Sequence, residues 1–412
     1  MANTEDIYLV GVGMTPFGKM LDRSLKSLVA QAVGEAMEDA GAKAGDLEVA
    51  YFANTSQGVM DGQHLVRGQV ALRAMGIGGI PVINVENACA SSSTAFQQAI
   101  AFLKSGSCDV ALAVGAEKMH DAQKNRSAPV FEGAWDVHEA DKVAGALADI
   151  GKGVATPAGK DAMVKSPFMQ LYAALAKGHM REFGTTERHL AIVAAKNHHH
   201  STFNPLSQYQ KDMSADEVLA APVIAWPLTL PMCSPISDGA AAAILCTKSA
   251  LARFPKAQPV KILASVLRSG SDREWSSFSD HLCRRAALAA YEIAGVGPLD
   301  MSVAEVHDAS AFAEIVQVEN LGFCEIGQGG FLAERGETKL GGRIPVNPSG
   351  GLESKGHPIG ATGLGQIYEL TTQLRGRAGK RQVPDARFAI AENGGGFAGV
   401  EEAAAVVTIL GK

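Results

Sequence analysis

The sequence predicts a layered α/β protein built twice over, and three features carry that prediction. Short β-rich runs alternate with alanine-rich amphipathic stretches, as when helices cover the faces of a sheet. A ten-residue segment, Gly41 to Ala50, recurs as Gly295 to Ala304; each copy follows an alanine-rich helix and leads into a strand. Glycine is abundant, 45 of 412 residues, yet scattered without period, so collagen-like and low-complexity chains are excluded.

Taken in order, Ile7 to Val12 is an apolar run suited to a buried strand. Leu25 to Ala40 has helical character and stops at Gly41, the residue that best tolerates the left-handed cap. Val49 to Ala53, Val82 to Val85 and Val110 to Gly115 are the next strands, with a helix from Ser91 to Lys104, ended by Gly106, between the last two. In the second copy, Ala286 to Ala294 is the helix, Val260 to Leu263 stands for the N-terminal strand, and Phe388 to Ala391 for Val110 to Val114. Each half would then supply one sheet of the same winding. Residues 118 to about 225 break the repeat, with Trp135, several prolines and helical stretches at Met169 to Glu182 and Glu187 to Asn197. Long insertions of this kind often carry substrate recognition. The division is a first half at 1–117 and 226–256, an inserted loop domain at 118–225, and a second half at 257–412.

Composition narrows the function. Hydrophobic residues are 47% and charged residues 19%, enough apolar material for buried cores and too little charge for disorder. The formal charge of −6 gives no basic excess for nucleic acid. The one dense basic run, Arg375 to Arg381, reads as a solvated loop after a helix, with a phosphate patch as the alternative. No apolar stretch reaches the roughly 20 residues of a membrane span, and neither end resembles a targeting signal. Six cysteines lie far apart with no Cys-x-x-Cys pair, which disfavours a zinc site or disulfide framework and makes a reduced, cytoplasmic setting the default.

Chemistry concentrates in four segments. Cys89, in Asn87-Ala88-Cys89-Ala90-Ser91, follows a strand and opens a helix, where unpaired N–H groups favour a thiolate. It is a candidate nucleophile or a small core residue, and a nucleophile needs a base. His357 stands in the glycine-dense loop Ser349 to Gly363, where packing gives a histidine little reason to be; His307, in Glu305 to Ser310, sits between a strand and a helix. Asn393-Gly394-Gly395-Gly396 could present backbone N–H groups as an oxyanion hole, or be a flexible turn. The run His198-His199-His200 points its rings in different directions and is not expected to bind metal. Gly11-Val12-Gly13 lacks the third glycine of a dinucleotide fingerprint, and neither a phosphate-binding loop nor Gly-x-Ser-x-Gly occurs.

Together Asn87-Ala88-Cys89-Ala90-Ser91, Ser237-Asp238-Gly239, His307-Asp308, Asn347-Pro348-Ser349-Gly350-Gly351 and Gly356-His357-Pro358-Ile359-Gly360 resemble the thiolase superfamily, the sterol-carrier type above all, over essentially the whole chain. The resemblance implies a layered α-β-α-β-α core whose inserted loop domain holds coenzyme A, which enters as substrate; no metal is implied in this chain. It implies that Cys89 attacks a thioester and carries the acyl group. His357 would take the thiol proton and, with His307, bind the thioester oxygen, while the N–H groups of Cys89 and Gly394 would hold the acyl-enzyme oxyanion. Ser234, Ser237, Ser310 and Asn393 are the corresponding substrate- and CoA-binding positions. A homodimer is implied, and a small zinc-ribbon/OB-fold partner subunit is a further expectation.

One departure matters. Thiolases use a second cysteine as acid/base at the substrate α-carbon; its two known positions hold Glu392 or Asn393 and Ala309 here. Glu392, with its pKa raised by burial, is the tentative substitute, and His307 with Ser310 or a water is another. The leading expectation is CoA-dependent cleavage, or the reverse condensation, of a bulky, branched, aromatic or dicarboxylic β-ketoacyl-CoA. The alternatives are a retro-aldolase acting on a β-hydroxyacyl-CoA, such as a steroid side-chain thioester, and a non-catalytic scaffold or lipid-binding subunit.

Overall fold

The computed structural model describes residues 5–123, 126–160 and 166–412. Its strands are β1 (Ile7–Met14), β2 (Val49–Ala53), β3 (Val82–Val85), β4 (Val110–Glu117), β5 (Val223–Ala225), β6 (Leu228–Thr229), β7 (Gly239–Thr247), β8 (Val260–Ser269), β9 (Val303–Glu305), β10 (Phe388–Gly395) and β11 (Ala404–Gly411). Nine of them form one sheet in the order β3-β2-β4-β7-β1-β8-β11-β10-β9, and β5 and β6 form a separate hairpin.

The duplication is visible strand by strand. In the first half β7 runs antiparallel between β1 and β4, and β4 is parallel to β2. In the second half β11 runs antiparallel between β8 and β10, and β10 is parallel to β9. A single parallel bridge, Ala304 to Val346, stands where β3 flanks β2. The repeated segment closes both outer helices alike: Gly41 and Gly295 take φ of 67° and 69°, and the carboxylates of Asp46 and Asp300 accept from the N–H of Lys43 and Gly297 at 2.8 and 2.7 Å. The expectation of one sheet per half is corrected in one respect. The edges of β1 and β8 pair antiparallel, Ile7 opposite Ile262 and Leu9 opposite Val260, because an open edge leaves backbone groups unpaired.

Side-chain alternation sorts the core into layers. One face of both halves packs on a pair of central helices, Ser91–Lys104 and Thr362–Leu374, around Phe96, Leu103, Leu364 and Leu370. The opposite faces are covered by Leu25–Ala40 in the first half and Leu282–Ala294 in the second. The order is therefore helix, sheet, helix pair, sheet, helix. Helices Pro167–Phe183 and Glu187–Ser201 of the insertion share a further core with Phe312 and Ile315 from helix Ala311–Asn320, which seats the insertion over the second half.

One surface expectation changes. Arg375 and Arg377 both clasp Asp39, and Arg381 pairs with Glu369 at 2.9 Å, so the basic run pins a helix end instead of standing free in water. The three histidines diverge as expected, towards the Pro231 carbonyl, Asp212 and the Asn347 carbonyl. Among the described residues no helix is long and apolar enough to cross a membrane.

Candidate active site

Between β3 and the first central helix the chain makes a tight turn with Ala88 in the left-handed region, φ 47°. A residue with a Cβ pays about 1–2 kcal/mol for that conformation, so the turn must be held from outside. Ser91 holds it: its hydroxyl accepts from Asn87 N–H at 2.8 Å and donates to the Ala88 carbonyl at 2.6 Å. Cys89 follows at the tip of that turn. The chain after β10 comes so close that a Cβ on Gly395 would lie 2.3 Å from the Asn87 carbonyl, which leaves glycine as the residue that fits there.

His357 reaches Cys89 from the second half, with Nε2 3.3 Å from Sγ. Its Nδ1 is 2.7 Å from Thr362 Oγ1, whose own hydrogen goes to the Pro358 carbonyl at 3.2 Å. Thr362 therefore accepts from Nδ1–H, which leaves Nε2 bare to accept the thiol proton. The loop beneath is fastened by buried polar groups. Leu352 N–H donates to Asp308 at 2.7 Å, the Lys355 ammonium meets Glu305 at 3.1 Å, and His357 N–H donates to Ser237 Oγ at 2.8 Å.

His307 stands over this pair, with the two imidazole centroids 5.3 Å apart. It is buried, and neither ring nitrogen has a hydrogen-bond partner among the described residues. A buried ring left so is a place for a ligand oxygen. These groups open on a cavity of about 450 Å³, also lined by Phe131, Phe168 and Tyr172 of the insertion, Ser234, Ala309 and Glu402. That volume suits a small-molecule site.

Burial sets the protonation states. It pushes the Cys89 thiol up to about 12, with the Glu117 carboxylate adding to the rise and the N–H groups of Gly396 and Cys89 opposing it. Burial holds His307 down to about 4 and His357 well below the ordinary histidine value, His307 adding to the latter. The expected thiolate at a helix end is thus corrected: the resting pair is a neutral thiol and a neutral imidazole, because desolvation outweighs the helix terminus.

The remaining sequence-selected residues divide. Ser234 lines the cavity and its N–H donates to the Ala309 carbonyl at 3.1 Å. Ser237 lies under the loop, donating to Gln208 at 2.6 Å while supporting His357. Ser310 caps helix Ala311–Asn320, accepting from Ala313 N–H, and Asn393 accepts from Ser93 Oγ at 2.6 Å. None of these three reaches the cavity, since neighbouring residues in a turn or strand face different ways. Gly394 lies within β10 opposite Ala405; the N–H turned to Cys89 belongs to Gly396.

Glu392 is also turned away. Its carboxyl accepts from Cys283 S–H at 3.3 Å and from His307 N–H at 3.0 Å, so it braces the His307 backbone without lining the cavity. Burial, reinforced by Glu402, pushes it up to about 8. A carboxyl that holds its proton more tightly folded than unfolded stabilises most below its ordinary value of 4.5, and this contribution is lost as pH rises towards 8. Glu392→Gln is expected to flatten the fall in unfolding free energy between pH 5 and 8, by up to roughly 1.4 kcal/mol per pH unit. Urea titrations of both proteins across that range check it; parallel curves would show that Glu392 carries no such penalty. Two trios of metal-binding atoms converge among the described residues, Cys89/His307/His357 and His281/Cys283/Glu402. Burial, with Glu402 and Glu392 adding to it, keeps Cys283 far above its ordinary value.

Sequence reasoning placed Gly396 in the candidate oxyanion run but chose Gly394 from it, and it missed Tyr172 and Glu402. Neither of these two belongs to a motif, and each reaches the cavity only through the fold of the insertion or of the link between β10 and β11.

A duplicated α/β protein with a cysteine–histidine pair where its halves meet is the class these observations define. Residues 7–249 match the family model for the thiolase N-terminal domain, and residues 265–412 that for the thiolase C-terminal domain-like family. The chain belongs to the thiolase family. It is 38% identical to an acetyl-CoA acetyltransferase of Methanothermobacter thermautotrophicus over 96% of this chain and 97% of that one. It is also 38% identical to sterol carrier protein 2 of Bos taurus, over 94% of this chain and 69% of the other. Among solved structures, the Ltp2-ChsH2(DUF35) aldolase shares the fold, with a TM-score of 0.76 at 24% identity over 98% of this chain and 97% of its own.

Proposed function

We propose that the protein is an acyl-CoA C-acyltransferase that cleaves a β-ketoacyl-CoA with CoA, or runs the reverse condensation, through an acyl-Cys89 intermediate. The observation that carries this is His357 Nε2 poised 3.3 Å from the Cys89 thiol, under an unpartnered His307. As the β-carbonyl carbon approaches Sγ, His357 takes the thiol proton and the carbonyl oxygen gains charge. The N–H groups of Gly396 and Cys89, both turned to Sγ, are the donors for the acyl-enzyme oxyanion. His357 and His307 serve the thioester oxygen in the second half-reaction. The aromatic side chains Phe131, Phe168 and Tyr172 favour a bulky or aromatic acyl group over a short one. Intact-protein mass spectrometry after brief exposure to a panel of acyl-CoAs and β-ketoacyl-CoAs tests the reading. An acyl-sized increment is the expected result, and no increment with any donor overturns it.

Retro-aldol cleavage of a β-hydroxyacyl-CoA is a second reading, supported by the cavity's lack of a second cysteine at Ala309 and by the presence of Tyr172 and Glu402. It needs no acyl-enzyme, so cleavage that survives Cys89→Ala would favour it. A passive scaffold leaves the Cys89–His357 contact and the bare His307 without purpose.

The assembly proposed is a homodimer through the edge of β3, where Ile83 is 36% exposed at the end of the sheet. Such an edge invites pairing with a second copy. Native mass spectrometry is expected to give twice the chain mass, and Ile83→Lys to shift the population towards monomer. A persistent monomer in the unaltered protein would refute the dimer, and additional mass would reveal a companion such as the small zinc-ribbon/OB-fold subunit. The Ltp2-ChsH2(DUF35) neighbour supports looking for one.

A further inference from the structure

The acyl-transfer reading leaves a proton without a carrier. Breaking the Cα–Cβ bond sends its electron pair to the α-carbon, which must be protonated as it leaves; condensation needs the same proton removed. Ala309 lines the cavity but has no exchangeable proton, and Glu392 lies behind His307 with both carboxyl oxygens engaged. Glu402 is different. It lines the cavity together with Cys89, His307, Ala309 and His357.

Its surroundings hold it there. Gly394 makes room, since a Cβ at that position would lie 2.7 Å from Glu402 Cγ. Gln317 Nε2 donates to Oε1 at 2.9 Å. Oε2 has no hydrogen-bond partner among the described residues and faces His281 Nε2 at 3.6 Å. The tautomer of His281 follows from its other nitrogen. Nδ1 accepts from Cys283 N–H at 3.2 Å and lies 3.1 Å from the amide of Asn320, so in the neutral ring the proton is on Nε2, towards Glu402. Gln317 thus steadies one oxygen of the carboxyl, and the second, buried beside His281 Nε2–H, has no hydrogen-bond partner among the described residues until a substrate supplies one.

Resting on the acyl-transfer reading, we infer that Glu402 is the acid/base at the substrate α-carbon, taking the part of the absent second cysteine, with His281 and Gln317 as positioning residues. In cleavage, Cys89 gives its proton to His357 and its sulfur bonds the β-carbon; the Cα–Cβ bond breaks, and the carboxyl of Glu402 protonates the α-carbon of the departing acyl-CoA. His357 then loses its proton to water and the Glu402 carboxylate regains one from water. The incoming CoA gives its thiol proton to the neutral His357 as its sulfur displaces Cys89, and Cys89 recovers that proton from His357. Condensation runs these steps backwards.

The test separates the two half-reactions in Glu402→Gln, with Glu402→Asp as a variant that retains the acid. Acylation of Cys89 by acetyl-CoA and benzoyl-CoA is read by intact mass. Exchange of the acetyl-CoA methyl protons with D₂O is read by NMR, and C–C cleavage from the disappearance of a 3-ketoacyl-CoA. The expected result is acylation within about threefold of the unaltered protein, with α-exchange and cleavage down by about 10²–10³-fold in Glu402→Gln and partly restored in Glu402→Asp. Retained α-exchange in Glu402→Gln overturns the assignment. So does equal loss of acylation and exchange in both variants, the mark of a structural role. If the unaltered protein forms no acyl adduct at all, the acyl-transfer reading itself fails and takes this assignment with it.

Discussion

Cys89→Ala is expected to abolish the acyl adduct and to lower kcat/KM for CoA-dependent cleavage by about 10⁴-fold or more, the scale seen when a catalytic nucleophile is removed. The size of the effect follows from the geometry. Sγ is the sulfur His357 reaches, and it is the atom the Gly396 and Cys89 N–H groups face. Of the other cysteines, Cys283 donates to Glu392 and Cys233 to the Thr229 carbonyl, so neither is offered to the cavity. The fold should tolerate the change, because the turn is held by Ser91 and not by the thiol. Mass spectrometry and stopped-assay kinetics on the variant, with circular dichroism for folding, decide it. Cleavage within tenfold of the unaltered protein would exclude a covalent route and move the chemistry to the lyase reading.

Much of this site was legible in the sequence because its backbone requirements are expressed in residue type. Small residues around Cys89 and glycines around His357 and after Asn393 record close approaches, and they direct attention to the right segments. The duplicated segment likewise revealed the paired halves, since Asp46 and Asp300 close equivalent turns in equivalent ways. What stayed hidden is direction. Asn393 and Glu392 are adjacent in β10, so the register that turns Asn393 to Ser93 turns Glu392 to His307 N–H and Cys283, and neither to the cavity. Ser237 and Ser310 were selected for their nearness to motifs, while their hydroxyls serve the backbone. Glu402 was invisible for a longer-range reason. Its place depends on how the link after β10 doubles back into β11 and on a missing Cβ at Gly394. The protonation of Cys89 was misjudged because the helix terminus is a local feature of the sequence, whereas its burial requires the second half and the insertion together.

Removing the base should cost nearly as much as removing the nucleophile. His357→Ala is expected to lower kcat/KM by about 10³–10⁴-fold, the upper part of the range for positioned proton transfer, because the same Nε2 must take the Cys89 proton and later return it. The thiol cannot compensate alone: with its pKa pushed up to about 12, almost no thiolate exists at neutral pH without a partner. Thr362→Val offers a graded version. It removes the acceptor that fixes Nδ1–H, so the ring samples the wrong tautomer, and a loss of about tenfold is expected. The pH profile provides the independent readout. A base whose pKa lies well below the ordinary histidine value stays neutral, and therefore competent, as pH falls from 8 through 6.5. The high thiol value removes any alkaline rise below pH 9 as well. Single-turnover acylation should thus be flat between pH 6 and 9 in the unaltered protein. In His357→Ala it should rise by close to tenfold per pH unit, as the reaction comes to depend on the free thiolate. An ordinary histidine titration in the unaltered protein, or a flat residual rate in the variant, would show that the proton of Cys89 goes elsewhere.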